Sequence, residues 1–159
     1  MDVVIRAAVD RDYEALCEII DEVDQLHRER LPTRFQVADG PVRTRDFILN
    51  AIHAADVGLF VAQSGKSLAG FVHVVVRDTP EIPILVQRSY AVVDSLAVRE
   101  DHRRGGIGRA LMDKAEAWAR AEGATSIELN VYAFNKPAIA FYRSLGYEVL
   151  SQRMTKRLE

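Results

Sequence analysis

Between Tyr90 and Trp118 the sequence changes its hydrophobic period across a cluster of glycines. Tyr90 to Val98 is apolar and β-branched, which predicts a strand, and Ile107, Leu111, Ala115 and Trp118 recur at helical spacing until Gly123. The junction reads Arg103-Arg104-Gly105-Gly106-Ile107-Gly108. A strand that runs through a tight turn into a helix sets α and β layers against each other, so an α/β domain is expected. The junction also has a chemical implication. A helix N-terminus presents unpaired N–H groups and partial positive charge, and glycines let an anion approach that backbone closely. Arg103, Arg104 and Arg109 add guanidiniums suited to phosphate oxygens. On these residues alone, a phosphate site and a solvated basic turn both stay open.

Other uses of a Gly-rich turn fail on spacing. A P-loop requires Lys and Ser or Thr after its second glycine, and this turn has neither. A dinucleotide fingerprint requires a third glycine where Leu111 stands, although Glu128 lies near the distance of a ribose-binding acid.

The rest of the chain extends the pattern. Val3 to Ile5 predicts a strand, with Asp10 as N-cap of a helix marked by Tyr13, Leu16, Cys17, Ile20 and Val23. Gln25 to Val42 is irregular, and Phe47, Ile48, Ala51, Ile52 and Ala55 restore a helical stripe. Leu59 to Ala62 and Leu68 to Val76 form a hairpin around Ser64-Gly65-Lys66, and Pro80 and Pro83 make Asp78 to Gln87 a loop. Beyond the central unit, Ile127, Leu129 and Val131 predict a strand and Ala138, Phe141, Tyr142 and Leu145 a helix ending at Gly146. Tyr147 to Leu158 is expected as a closing strand. The expected order is β-α-α-β-β-β-α-β-α-β: a mixed, mostly antiparallel central sheet flanked by helices, in one domain over residues 1–159.

A net charge of -2 gives no basic field, so neither nucleic acid nor an anionic membrane is an expected partner. Arg77, Asp78 and Arg88 interrupt the most apolar region well short of the ~20 residues a spanning helix needs. Cys17 is alone, and the acidic start lacks a secretory n-region, which makes the cytoplasm the expected location. His27, His53, His73 and His102 are scattered, so no metal is expected, and there is no Gly-x-Ser-x-Gly elbow of a hydrolase. Cys17 and Trp118 read as core residues, and Arg28, Arg30 and Arg34 as solvent-facing.

Two segments resemble one family in the right order. Val93-Asp94-Ser95-Leu96-Ala97-Val98 followed by Arg103-x-x-Gly106-x-Gly108 is similar to the acetyl-CoA-binding motif of GNAT acetyltransferases. Asn130 through Ala138 and Phe141 through Tyr147 resemble the strand and helix that complete that family's cofactor site. The motif-level match ends there, and the N-terminal half is similar only in element order.

The resemblance implies acetyl-CoA as cosubstrate and a primary amine as acceptor, on a small molecule or a peptide. It implies that Leu96 and Val98 pair with the pantetheine arm as an added strand would, and that Arg103, Arg104, Gly105, Gly106, Gly108 and Arg109 hold the pyrophosphate. It makes the N–H of Leu96 or Ala97 an oxyanion donor. Asn135 gains a cofactor contact beside its role as helix cap. Amine attack needs a neutral amine, and a lysine-like ammonium has a pKa near ~10.4, so a base is required. Asp94 is the first choice, acting through water, with Glu128 and His73 in reserve. Tyr142 matches the family position that hydrogen-bonds the leaving sulfur. A catalytically silent acyl-CoA-binding module is the alternative function, and a homodimer is left open.

Overall fold

A computed structural model describes residues 2–40 and 43–159. The β-branched runs pair side by side in chain order as β1 (Val3–Ala7), β2 (Val57–Ser64), β3 (Ser67–Asp78), β4 (Ser89–Val98) and β5 (Ile127–Leu129). All neighbours are antiparallel except β4 and β5, which run parallel. A parallel pair needs a crossover, and the helix after the glycines, α3 (Ile107–Ala121), supplies it. The other helices are α1 (Tyr13–Arg30), α2 (Arg45–His53) and α4 (Lys136–Ser144).

Strand alternation sends one set of side chains to each face, and both faces are covered. Phe60, Val72, Val74 and Val93 pack with Leu111, Met112 and Ala115 of α3. Leu59, Val61 and Phe71 pack on the opposite face with Leu16 and Ile19 of α1 and Ile48 of α2. On α4, the Phe141 ring lies over the first turn of α3 so closely that a Cβ at Gly108 would sit 3.1 Å from it. Gly108 therefore serves helix packing as well as any ligand.

Four expectations need correction. Asp10 is not the cap of α1: it opens a 3₁₀ turn, Asp10–Asp12, and its carboxylate meets His53 at 2.9 Å, while Asp12 accepts the Val9 N–H. Continued packing of its inner face carries α1 on to Arg30, so Gln25 to Arg30 is helical rather than irregular; Pro41 and Val42 of that region lie outside the described residues, as does Met1. β5 stops at Leu129, leaving Val131 outside it. Tyr147 to Leu158 forms no strand. Val149, Leu150, Met154 and Leu158 are 62–90% exposed, so the alternation there has no partner surface to bury against.

Candidate functional site

The site begins with a fault in β4. Register against β3 is Ser95 opposite His73 but Val93 opposite Val74, so Asp94 is an extra residue in a bulge. A bulge shifts the phase of everything after it. Before it, the Ala91 N–H donates across to the Ser126 carbonyl on the β5 side. After it, the Arg99 N–H donates to Ala69 on the β3 side, so alternation turns Ala97 toward β3 and the N–H groups of Leu96 and Val98 toward β5. Pairing with β5 ends at Val93 opposite Leu129, so the edge from Leu96 to Val98 has no neighbouring strand. Of the two oxyanion candidates, only the Leu96 N–H faces this open edge.

Immediately downstream, the turn presents α3 end-on to the same edge. Gly106 is the N-cap in a left-handed conformation, φ +81°, with no side chain capping the helix. Such a left-handed residue followed by a right-handed one aims successive N–H groups into one concavity that suits an anion. A Cβ at Gly106 would meet nothing within 4 Å, so the space above these donors is open. Arg104 and Arg109 are exposed beside it, Arg104 also at positive φ. Arg103 is partly committed: its Nε donates to the Val98 carbonyl at 3.0 Å, which ties the turn to the strand end and occupies that acceptor. Unpaired strand groups ending at an uncapped, arginine-flanked helix N-terminus fit an extended amide-containing arm that ends in a pyrophosphate.

Asn135 caps α4 as expected, its Oδ1 accepting the Ala138 N–H at 3.3 Å. One turn further, Tyr142 packs edge-on against Phe141 and Tyr147. Burial pushes its phenol up to about 12, and among the described residues its hydroxyl has no hydrogen-bond partner. The neighbouring Tyr147 differs: its hydroxyl donates to Glu116, so it is a structural tyrosine. Sequence reasoning missed an aromatic cluster around His27. Phe35, Tyr132 and Phe134 surround that imidazole at 5.4–5.8 Å, and Arg30 lies over the Phe134 ring at 5.3 Å. The cluster joins the end of α1 to the segment after β5. Arg28, expected in solvent, has a side chain only 20% exposed, and Arg34 reaches Thr155.

On the other face of the bulge, a cavity of about 260 Å³ opens between α1 and α2. Its floor is Phe71 and His73 of β3, with Asp94 and Ser95 of β4 side by side, an arrangement that only the bulge allows. His73 Nε2 is 4.0 Å from Asp94 Oδ2. Burial lowers the imidazole pKa below its usual value, Arg43 acts in the same direction and Asp94 opposes both. His73 is thus neutral at pH 7 and able to accept a proton. Glu128, the other reserve base, sits on β5 opposite Val92 and does not line the cavity. Among the described residues no group of three or more His, Cys, Asp or Glu side chains converges as a metal site.

The site thus joins a mixed sheet parted between two parallel strands to a glycine-rich helix start. Residues 20–147 match the Acetyltransferase (GNAT) family, and the chain belongs to that family. It is 37% identical over 91 residues to an uncharacterized N-acetyltransferase of Methanocaldococcus jannaschii, 57% of this chain but only 39% of that protein. An N-alpha-acetyltransferase of Sulfurisphaera tokodaii is 26% identical over 134 residues, 81% of this chain and 74% of that one. Among solved structures, a mutant of the BH1408 protein from Bacillus halodurans superposes with a TM-score of 0.93 at 28% identity, covering 98% of this chain and 99% of the other.

Proposed function

We propose that the protein transfers the acetyl group of acetyl-CoA to a primary amine by direct attack within a ternary complex. The observation that carries this reading is the bulge in β4. It sets an unpaired backbone edge, leading to the bare N-terminus of α3, against an amine-sized cavity holding Asp94 and His73. Acetyl-CoA supplies an activated thioester. The protein's part is to align, deprotonate and stabilise. The Val98 N–H and the Leu96 carbonyl meet the pantetheine amides, the N–H groups around Gly106 and Gly108 with Arg104 and Arg109 hold the pyrophosphate, and the Leu96 N–H faces the developing oxyanion. Asp94 receives the amine proton through water with neutral His73 behind it, and Tyr142 donates a hydrogen bond to the departing sulfur.

Calorimetric titration with acetyl-CoA tests the cofactor half. Wild type is expected to bind, and Gly106→Trp to lose at least about tenfold in affinity, because an indole there enters the open space over the N–H donors. Gly108→Trp is the poorer probe, since it also displaces Phe141. Equal binding by Gly106→Trp would exclude this turn as the phosphate site.

The proton-accepting half has a pH signature. Because His73 is held below the ordinary imidazole value of ~6.5, the acid limb of kcat is expected below that pH. His73→Gln is expected to abolish the limb and lower kcat about tenfold, and Asp94→Asn to lower it about a hundredfold. An unchanged limb in His73→Gln would remove that residue from the proton path.

A further inference from the structure

Resting on acetyl transfer at this site, we propose that the acceptor is a singly charged amine carried beside a compact apolar side group, and not a polycation. The walls of the cavity state its preference. Ile20 of α1, Phe47 and Ala51 of α2 and Phe71 of β3 are apolar, and the charged groups among them are one cation, Arg43, and one anion, Asp94. A polyamine or aminoglycoside brings several ammonium groups, each of which needs a carboxylate when it leaves water. Here a second ammonium would meet the Arg43 guanidinium, which lies over the Phe47 ring at 6.0 Å from its centroid and acts electrostatically on His73. One carboxylate can answer one ammonium, and Asp94 already occupies the place where the reacting amine must lie.

Size and exposure point the same way. About 260 Å³ falls at the small end for ligand sites, a volume that suits one side chain beside an amine better than several rings. At the mouth, Phe47 is 49% exposed although it lies in the first turn of α2, whose next residue, Ile48, is buried in the core. Thr44 caps α2, its hydroxyl accepting the Phe47 backbone N–H at 3.1 Å, which fixes the turn that carries that ring. An aromatic rim continuous with the apolar walls Ile20, Ala51 and Phe71 gains most from a ligand that covers it. The shared chemistry is an α-amine next to an aliphatic or aromatic side chain, which either a free amino acid or the start of a peptide chain provides.

The test compares thiol release from acetyl-CoA with leucine amide, glycine amide, free leucine, a leucyl-glycine dipeptide, spermidine and kanamycin as acceptors. Leucine amide is expected to exceed glycine amide in kcat/KM by at least about tenfold, with both polycations below leucine amide. Free leucine against the dipeptide then distinguishes the two sources. A companion variant, Ala51→Phe, fills the cavity and is expected to bring leucine amide down to the level of glycine amide while the acetyl-CoA titration stays unchanged. Preferred turnover of spermidine or kanamycin, equal turnover of leucine and glycine amides, or a leucine preference that survives Ala51→Phe would overturn this inference and leave acetyl transfer standing. Acetyl-CoA binding with no amine acetylated would overturn acetyl transfer and this inference together.

Discussion

Tyr142→Phe is expected to lower kcat about a hundredfold while leaving the affinity for acetyl-CoA within about twofold of wild type. The ring of Tyr142 is part of the packing between Phe141 and Tyr147, and phenylalanine keeps that ring. What it removes is a hydroxyl with no partner among the described residues, so no hydrogen bond within the protein is lost with it. The magnitude follows from how the hydroxyl acts. With the phenol pushed up to about 12 by burial, handing its proton outright to a thiolate of pKa ~8.5 would run uphill by roughly 5 kcal/mol. A hydrogen bond to developing charge has no such penalty and is worth a few kcal/mol in a water-poor site, which sets the expected two orders of magnitude. Single-turnover kinetics with a good amine acceptor and a parallel calorimetric titration separate the effects. A loss confined to kcat assigns the hydroxyl to the departing sulfur. A loss confined to binding makes Tyr142 a cofactor contact, and no loss in either returns it to the core.

Much of this site is local in sequence, which is why it could be read there. The strand, the glycines with their arginines, and the Asn135 cap are each defined within a few residues, where period and backbone chemistry decide the conformation. The bulge at Asp94 was not legible. Val92 to Val98 reads as an unbroken strand, and the extra residue exists only because β3 fixes a register on either side of it. His73 stood only in reserve for a related reason: a histidine among valines becomes a strong base candidate only when the bulge brings Asp94 beside it. The cluster around His27 joins three segments distant in the chain, so no window of sequence contains it. At the C-terminus the error ran the other way. Tyr147 to Leu158 has the alternation of a strand, but a three-residue β5 offers it little edge to extend.

Asp12→Ala is expected to lower stability by about 3 kcal/mol, a fall in Tm of about 10 °C for a chain of this size. Asp12 is 5% exposed and sits in a closed set of bonds that joins β1 to the start of α1. Arg6 grips its carboxylate with Nη1 at 2.8 Å and Nη2 at 2.9 Å, and the Val9 N–H donates to it at 2.8 Å. The Arg6 Nε is occupied by Gln63 on β2 at 2.7 Å. Removing the carboxylate leaves a guanidinium with a side chain only 24% exposed and without its counter-ion, which costs more than the pair itself contributes. The pH dependence has a definite sign. Burial alone would raise the Asp12 pKa, but the Arg6 bonds and the Val9 N–H outweigh it and hold the carboxyl below its ordinary value. A depressed carboxyl stabilises the fold fully above its unfolded pKa of ~3.9 and loses that contribution as pH falls through the folded value. Urea unfolding of wild type and Asp12→Ala should therefore differ by a constant amount from pH 8 down to about 5, and the difference should shrink below pH ~4. A difference that persists undiminished at pH 3 would mean that side-chain packing at Asp12, and not its charge, secures the junction from which α1 extends over the acceptor cavity.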